Sequence, residues 1–368
     1  MNSYFINTPS NQLPDNPTHD ILSSSKALDY HKTLSQYQPT PLHHLKNLAR
    51  KLGIKNVFVK DESHRFGLNA FKGMGASYAV YKVLENKPEI TTICTATDGN
   101  HGRAVAWAAK MAGKKAVIFV PKDTTHNRIQ AIADEGAEVK QLDLNYDNTC
   151  QHAAETSKKE GWELIQDTAW EGYEEIPAYI MAGYQTHFQE LEDSLHTLPL
   201  PQVDIVFLQA GVGSWGAAAI WYYLNRYQEK RPKLVIVEPN ESDGILQSLI
   251  AGKRSLPSGN QETIMAGLNC GIPSLTAWDI IQSGADAAMK VEDKWAEKAI
   301  RQLYYPEGDD PRIIAGESGV GGLAGFLALS EPQFDSLRHT LAIGADTSVL
   351  FYSTEGATDR DSFDSIVK

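Results

Sequence analysis

Short apolar runs alternate with helical patterns along most of the chain. The runs are about four to six residues long and rich in β-branched side chains, as is typical of parallel strands buried on both faces. Between them, apolar residues recur at three- and four-residue spacing, which is typical of amphipathic helices. The pattern therefore predicts an α/β protein with two open, mostly parallel sheets and helices on both faces of each sheet.

The predicted elements follow one another closely. Strands are predicted at 56–60, 91–96, 115–120, 138–142, 163–166, 204–209, 233–237 and 348–352. Helices are predicted at 43–52, 101–112, 126–136, 147–160, 176–195, 214–228, 243–251, 276–284, 293–304 and 319–329. A further helix is predicted to begin at Lys72, with an inward face formed by Phe71, Met74, Tyr78, Tyr81 and Leu84. Residues 1–35 show little periodicity and are predicted to form an arm.

The chain is long enough, at 368 residues, for two domains. Four predicted strand–helix units between residues 76 and 189 are enough for a small α/β domain with its own sheet. Residues 1–75 and 190–368 are then predicted to form a larger, discontinuous domain. We expect an active site in the cleft between the two domains.

Composition and charge exclude several classes of partner. The net charge of −12, without any basic stripe, argues against nucleic acid. No apolar run approaches the length of about 18 residues that crosses a bilayer, and the polar residues 1–20 do not resemble a secretory signal. The three cysteines are widely spaced and indicate a reducing compartment, without a zinc site. We therefore expect a cytoplasmic protein with no metal and no membrane partner.

Lys72 is the first candidate for chemistry. It lies between Phe71 and Gly73 at the predicted start of a helix, where the helix dipole disfavours a cation and favours the neutral amine. A neutral amine is the form that makes a Schiff base with an aldehyde. The alternative is an ordinary solvated lysine near a helix start.

Four motifs follow predicted strands or begin predicted helices, where open α/β sheets bind their ligands. They are 97–102 with Asp98 and Asn100, 167–173 with Asp167 and Tyr173, 315–322 with Glu317, and 353–356 with Ser353 and Thr354. Amide groups at the helix start after Asp98 would bind an anion such as a carboxylate. Each motif taken alone is also explained as a turn, a helix cap or a surface loop.

A glycine-rich loop, Gly211–Gly216, lies between a predicted strand and a predicted helix. Its sequence is GVGSWG, and glycines at this position let backbone amides approach a phosphate closely. The loop also matches the dinucleotide fingerprint, with Glu238 at the end of the next strand. However, that fingerprint normally opens a nucleotide-binding fold, whereas here a long segment precedes it.

Read together, these motifs resemble the pyridoxal-phosphate enzymes of the tryptophan-synthase β-like type (fold type II). Within that family, the resemblance is to the branch that eliminates ammonia from 2,3-diaminopropionate. The best-matching segments are Asn69–Gly73, Asp98–Gly102, Asp167–Tyr173, Met265–Gly271 and Gly316–Gly319. Relatives that dehydrate serine or threonine usually have Ser or Thr at the position of Asp98. Two departures are a short segment between Lys72 and Asp98 and the bulky Trp215 within the glycine-rich loop.

The resemblance implies roles for individual residues and a homodimer that acts on a small amino acid. Implied cofactor contacts are Lys72 as the Schiff-base lysine, Phe71, Asn100 at the 3′-oxygen, Gly211, Val212, Gly213, Ser214 and Gly216 at the phosphate, and Ser353 or Thr354 at the pyridine nitrogen. Implied catalytic residues are Lys72, Asp98 and Asp167. Implied substrate contacts are Asp98, Gly99, His101, Asp167, Tyr173 and Glu317.

The implied reaction converts 2,3-diaminopropionate to pyruvate and two molecules of ammonia. The second ammonium of this substrate suits acidic residues in the pocket, and bases on both faces of the cofactor would allow both the L and D isomers to react. Three alternatives stay open from sequence: a serine or threonine dehydratase of the same fold, an NAD-dependent dehydrogenase that uses the Gly211–Gly216 loop, and a catalytically silent cofactor-binding protein.

Overall fold

A computed structural model describes residues 2–97, 99–196 and 203–368. The chain forms two compact units. The first unit comprises residues 1–15, 39–64 and 187–368, and the second comprises residues 16–38 and 65–186. In this division, residues 16–38 and 65–75 fall in the second unit. Domain limits near residues 76 and 189 stay a prediction.

The described residues form the following elements. The strands are β1 (Tyr4–Ile6), β2 (Leu42–His44), β3 (Asn56–Asp61), β4 (Thr92–Ala96), β5 (Lys115–Val120), β6 (Glu138–Gln141), β7 (Glu163–Leu164), β8 (Ile205–Gln209), β9 (Lys233–Pro239), β10 (Ala287–Val291) and β11 (Ser348–Ser353). The helices are α1 (Pro17–Ser23), α2 (Ala27–Lys32), α3 (Lys46–Leu52), α4 (Lys72–Asn86), α5 (Asn100–Met111), α6 (His126–Ala133), α7 (Tyr146–Glu160), α8 (Glu175–His196), α9 (Ser214–Tyr227), α10 (Gly244–Ala251), α11 (Leu275–Gly284), α12 (Asp293–Tyr304), α13 (Gly321–Ala328), α14 (Asp335–Leu341) and α15 (Arg360–Val367).

Each unit is built on one sheet. In the first unit the strand order is β1-β10-β9-β8-β11-β3-β2, and the inner strands run parallel while the two edge strands are antiparallel to their neighbours. In the second unit the order is β6-β5-β4-β7, all parallel. The prediction of an α/β fold with two mostly parallel sheets is confirmed.

Small residues let one helix of the first unit lie directly on its sheet. Helix α13 is buried along its whole length. A Cβ atom at Gly322 would come within 2.7 Å of the Phe207 carbonyl oxygen, and one at Gly325 within 2.6 Å of Val237. Only glycine therefore allows this approach, which brings the segment before α13 close to the ends of β8 and β11.

Several local predictions were wrong. The residues predicted to begin a helix at 43 form strand β2 and then α3, because Leu42–His44 pairs with the edge of β3. The predicted N-terminal arm contains β1, α1 and α2. In α4, Tyr81 is 37% exposed instead of facing inward, whereas Met74 and Tyr78 are buried as predicted.

In the ranges that the structure describes, no helix combines the length and the apolar character needed to cross a bilayer.

Candidate active site

Lys72 is the first residue of α4, as predicted, and a tight turn precedes it. The backbone is left-handed at Phe66, Gly67 and Asn69, with φ angles of 54°, 73° and 57°. Such φ angles are uncommon in residues other than glycine and often mark functional sites. Arg103 of α5 stabilises this turn by donating to the Leu68 carbonyl oxygen over 3.0 Å.

The ammonium of Lys72 pairs with the carboxylate of Asp167. The distance between Nζ and Oδ2 is 2.6 Å, and Asp167 is buried. Burial alone would raise the pKa of Asp167, but the neighbouring charges of His101 and Lys72 outweigh it and hold this pKa well below its usual range. The ion pair stabilises the charged amine, which is opposite to the effect of the helix dipole predicted from sequence.

His101 also lies beside Oδ2 of Asp167. Its Nε2 is 2.8 Å from the Ile165 carbonyl oxygen, which can only accept, so Nε2 bears the proton. Its Nδ1 then faces the Asp167 carboxylate at 3.7 Å. Burial lowers the pKa of His101, and the neighbouring charge of Asp167 opposes this shift.

Two backbone amides at the start of α5 already have a hydrogen-bond acceptor within the same loop. The Thr97 hydroxyl accepts from the amides of Gly99 and Gly102 at 2.9 and 3.1 Å. Asn100, directly after Gly99, is the first residue of α5. Asp98, predicted to be catalytic, lies outside the described residues.

The Asp167–Tyr173 segment is fixed by side chains that bind backbone groups. The Tyr173 hydroxyl donates to the Leu164 carbonyl oxygen over 2.7 Å and accepts from the Gln166 amide over 2.9 Å. Gln166, which the sequence reasoning missed, accepts from Thr95 and from the Ala96 amide through Oε1. These contacts place Asp167 at the end of the sheet, and they engage the hydroxyl that was predicted to bind substrate.

In the first unit, the Gly211–Gly216 loop joins β8 to α9. Gly213 is left-handed, with φ of 93°, and a Cβ atom there would come within 2.8 Å of Ile281. A Cβ at Gly211 would come within 2.8 Å of the Cys270 sulfur. Ser214 starts the helix, while the Val212 carbonyl accepts from the Ser274 amide. A tight glycine turn before a helix N-terminus presents backbone amides in the geometry that suits an anion such as phosphate.

Glu238 does not fit the dinucleotide alternative. It is 1% exposed, and its two carboxylate oxygens accept from the amides of Ile245 and Leu246, both at 2.8 Å. Burial raises the pKa of Glu238 well above its usual range. This side chain caps the start of α10 and is not presented to a ribose.

The end of β11 lies beside Gln209. The Gln209 amide nitrogen is within 3.0 Å of the Gly319 and Tyr352 carbonyl oxygens and of the Thr354 hydroxyl. By contrast, the Ser353 hydroxyl is buried, and among the described residues it has no hydrogen-bond partner. Ser353 and Thr354 are the two residues predicted to contact the pyridine nitrogen. The Thr354 hydroxyl therefore already has a hydrogen-bond partner in the protein, and the Ser353 hydroxyl has none among the described residues.

Glu317 is held by the C-terminal helix. Its carboxylate accepts from the Ser362 hydroxyl of α15. The neighbouring Ser318 amide donates to Glu355 over 3.0 Å. These contacts fix the loop before α13, and they engage one oxygen of the carboxylate that was predicted to bind substrate.

Comparison with known proteins places these features in one family. The model of the family described as pyridoxal-phosphate dependent enzyme matches residues 33–341. Diaminopropionate ammonia-lyase of Escherichia coli (strain K12) is 39% identical, over 98% of this chain and 96% of that protein. The enzyme of the same name from Salmonella typhimurium is 40% identical, over 96% of this chain and 93% of that protein.

A solved structure agrees with this match. The crystal structure of the Escherichia coli enzyme in complex with an aminoacrylate–PLP azomethine reaction intermediate has a TM-score of 0.91 and 38% sequence identity. The superposition covers 100% of this chain and 97% of that one. The tight turn before Lys72, the acidic partner of that lysine and the glycine loop before α9 thus occur in a chain that belongs to the family of pyridoxal-phosphate dependent enzymes.

Proposed function

We propose that this chain is a pyridoxal-phosphate-dependent ammonia-lyase that converts 2,3-diaminopropionate to pyruvate and two molecules of ammonia. The observation that supports it most is the match to diaminopropionate ammonia-lyases along nearly the whole chain. The ionised Asp167 beside Lys72 agrees with this substrate, because a substrate with a second ammonium needs a nearby negative charge.

The residues of each unit fit the cofactor. The turn at Gly211 and Gly213 leaves no room for a Cβ atom and precedes a helix, as a phosphate site requires. The buried hydroxyl of Ser353 needs a partner, which a ring nitrogen would supply. We therefore assign Val212, Ser214 and Gly216 to the phosphate with the two glycines, and Ser353 in preference to Thr354 to the pyridine nitrogen.

In the second unit we assign Lys72 to the covalent linkage and Asn100 to the 3′-oxygen. Phe71 supports Lys72, since its ring packs against Tyr184 at 4.9 Å and lies 5.3 Å from the Lys72 Nζ. When bound, pyridoxal phosphate delocalises the charge left on the substrate α-carbon after that carbon loses its proton. Lys72 Nζ, once released by the substrate, accepts this proton.

Other side chains bind or orient the substrate. Asp167 binds the β-ammonium, and His101, whose Nδ1 lies 3.7 Å from Oδ2 of Asp167, contacts the substrate beside it. We retain Asp98 as the second base and Gly99 as a contact of the substrate carboxylate. For Tyr173 and Glu317 the hydrogen bonds to Leu164 and Ser362 favour a different role, which is to position the loops that contain them.

Turnover tests the proposal. Purified protein reconstituted with pyridoxal phosphate should be yellow and should release pyruvate and ammonia in a ratio of one to two from diaminopropionate. Release from serine under the same conditions should be much slower. Faster turnover of serine or threonine would instead establish a dehydratase, and a yellow protein without turnover would establish a silent cofactor-binding protein.

Gly213→Val should abolish retention of the cofactor. The valine side chain would contact Ile281 and strain the left-handed backbone at a cost of about 1–2 kcal/mol, and it would shift the amides that face the phosphate. Equilibrium dialysis measures the loss. Gly252→Val is the matched control: Gly252 has φ of 67° and no atom within 4 Å of a Cβ, so that variant has the same strain but should retain the cofactor.

We further propose that the chain acts as a homodimer in the cytoplasm on small amino acids. Cys94, Cys150 and Cys270 are thiols, which agrees with a reducing compartment. Light scattering should give twice the mass of one chain, and a monomer that turns over at the full rate would contradict the dimer.

A further inference from the structure

Trp215 is the one bulky residue of the glycine-rich loop Gly211–Gly216. It is the second residue of α9 and is 6% exposed. Its indole points into the interior of the first unit, where Nε1–H donates to Nε2 of His187 over 2.9 Å. The bulky ring is therefore buried between the first turn of α9 and helix α8.

His187 belongs to α8 and is fully buried. An indole nitrogen only donates, so His187 Nε2 must be the accepting nitrogen of the imidazole. A buried indole N–H without an acceptor is costly, because water cannot replace the lost partner. The bond thus fixes the direction of the Trp215 ring.

The same ring also contacts the end of β11. Trp215 packs edge-on against Tyr352, with 5.1 Å between ring centroids and 77° between planes, and His187 packs against Tyr352 at 5.7 Å. Tyr352 immediately precedes Ser353. The hydrogen-bonded pair of Trp215 and His187 therefore links the start of α9 to Tyr352, the residue before Ser353.

We propose that His187 is a positioning residue for cofactor binding. By accepting from Trp215 it fixes the first turn of α9, the Gly211–Gly213 turn before it, and the end of β11. The loop is then ordered before the cofactor arrives, and binding does not have to order it. The inference rests on the proposed function, in which Gly211–Gly216 binds the phosphate of pyridoxal phosphate.

The test is a titration of apoprotein with pyridoxal phosphate. His187→Leu and Trp215→Phe should each weaken binding about tenfold, which corresponds to about 1.4 kcal/mol. The double variant should be no weaker than either single one, because both remove the same hydrogen bond. His187→Gln, whose side-chain carbonyl can accept from the indole, should restore most of the affinity.

Tyr222→Phe is the matched control. Tyr222 also lies on α9 and donates to Glu192 of α8 over 2.7 Å, so the variant removes another hydrogen bond between the same two helices, away from the loop. It should bind pyridoxal phosphate as tightly as the unmodified protein. In labelled apoprotein, the nitrogen-15 resonance of the Trp215 indole should shift in His187→Leu and remain in place in Tyr222→Phe.

Equal affinity of folded His187→Leu and unmodified protein would overturn the inference and leave the proposed function intact. An equal loss in Tyr222→Phe would also overturn it, since any contact between these helices would then suffice. If His187→Leu does not fold, Trp215→Phe, which keeps an apolar ring, decides the question alone. Failure of the unmodified protein to bind pyridoxal phosphate would instead refute the proposed function.

Discussion

Replacing Lys72 by alanine should reduce turnover of diaminopropionate by about 10³-fold or more, the upper range for loss of an acid–base group. Under the proposed function, the variant loses both the covalent linkage and the group that accepts the α-proton. Lys72→Arg should be equally inactive although its guanidinium can still pair with Asp167, so this second variant separates chemistry from stability. Steady-state kinetics on reconstituted protein measures both losses.

Lys82→Ala provides the control for this helix. Lys82 lies on α4 and pairs with the exposed Glu85, an arrangement that contributes little to stability, so activity should not change. Borohydride reduction of the yellow protein, followed by peptide mapping, should place the pyridoxyl group on Lys72. Label on any other lysine would refute the assignment.

Asp167→Asn should reduce kcat/KM for diaminopropionate by about 10²-fold, the scale of a lost charge-assisted contact in a buried site. The substitution keeps the shape of the side chain and removes its charge. In the chain without cofactor, the charges of His101 and Lys72 hold the pKa of Asp167 well below its usual range, and the β-ammonium of bound substrate would take the place of the Lys72 charge. We therefore expect the kcat/KM profile of the unmodified enzyme to show no loss from Asp167 as pH falls through 5.

A substrate without a β-ammonium separates two roles of Asp167. With β-chloroalanine, whose leaving group is neutral before elimination, Asp167→Asn should lose much less activity than with diaminopropionate. Equal losses on both substrates would mean that Asp167 acts on the α-proton or on the orientation of Lys72 and not on the second ammonium.

The sequence predicted the buried parallel strands well. It failed for elements whose secondary structure depends on contacts with distant residues. Strand β10 was missed because Lys290 interrupts an apolar run of small residues. In the structure this lysine pairs with buried Asp243 at 2.9 Å, a contact that periodicity does not reveal. In the N-terminal segment, Asn16 caps α1 by accepting from the His19 amide, and Pro17 follows it. This cap and proline are a signal for a helix start that the sequence contains, although the weak periodicity around them predicts an arm.

The sequence predicted which residues lie at strand ends in the site. It did not predict the contacts between those residues. The position of Asp167 after a short strand indicated a ligand site, but its contact with Lys72 joins residues far apart in the chain. The residues next to Tyr173 and Glu317 in the sequence did not indicate the partners of these side chains. The Tyr173 hydroxyl donates to the backbone of Leu164, and the Glu317 carboxylate accepts from Ser362 of α15. The functional alternative with Glu238 failed for the same reason, since its use as a helix cap depends on the loop that follows it.

The place of β11 in the larger sheet affects how the chain folds during synthesis. β11 lies between β3 and β8, yet it is translated long after both of them. Until it emerges from the ribosome, β3 and β8 each have an unpaired edge, and such edges promote aggregation. A polypeptide that stalls or is cut before residue 348 would therefore expose two apolar strands at the centre of the sheet. Such products should be degraded or aggregate, and should not persist as soluble proteins that merely lack one strand.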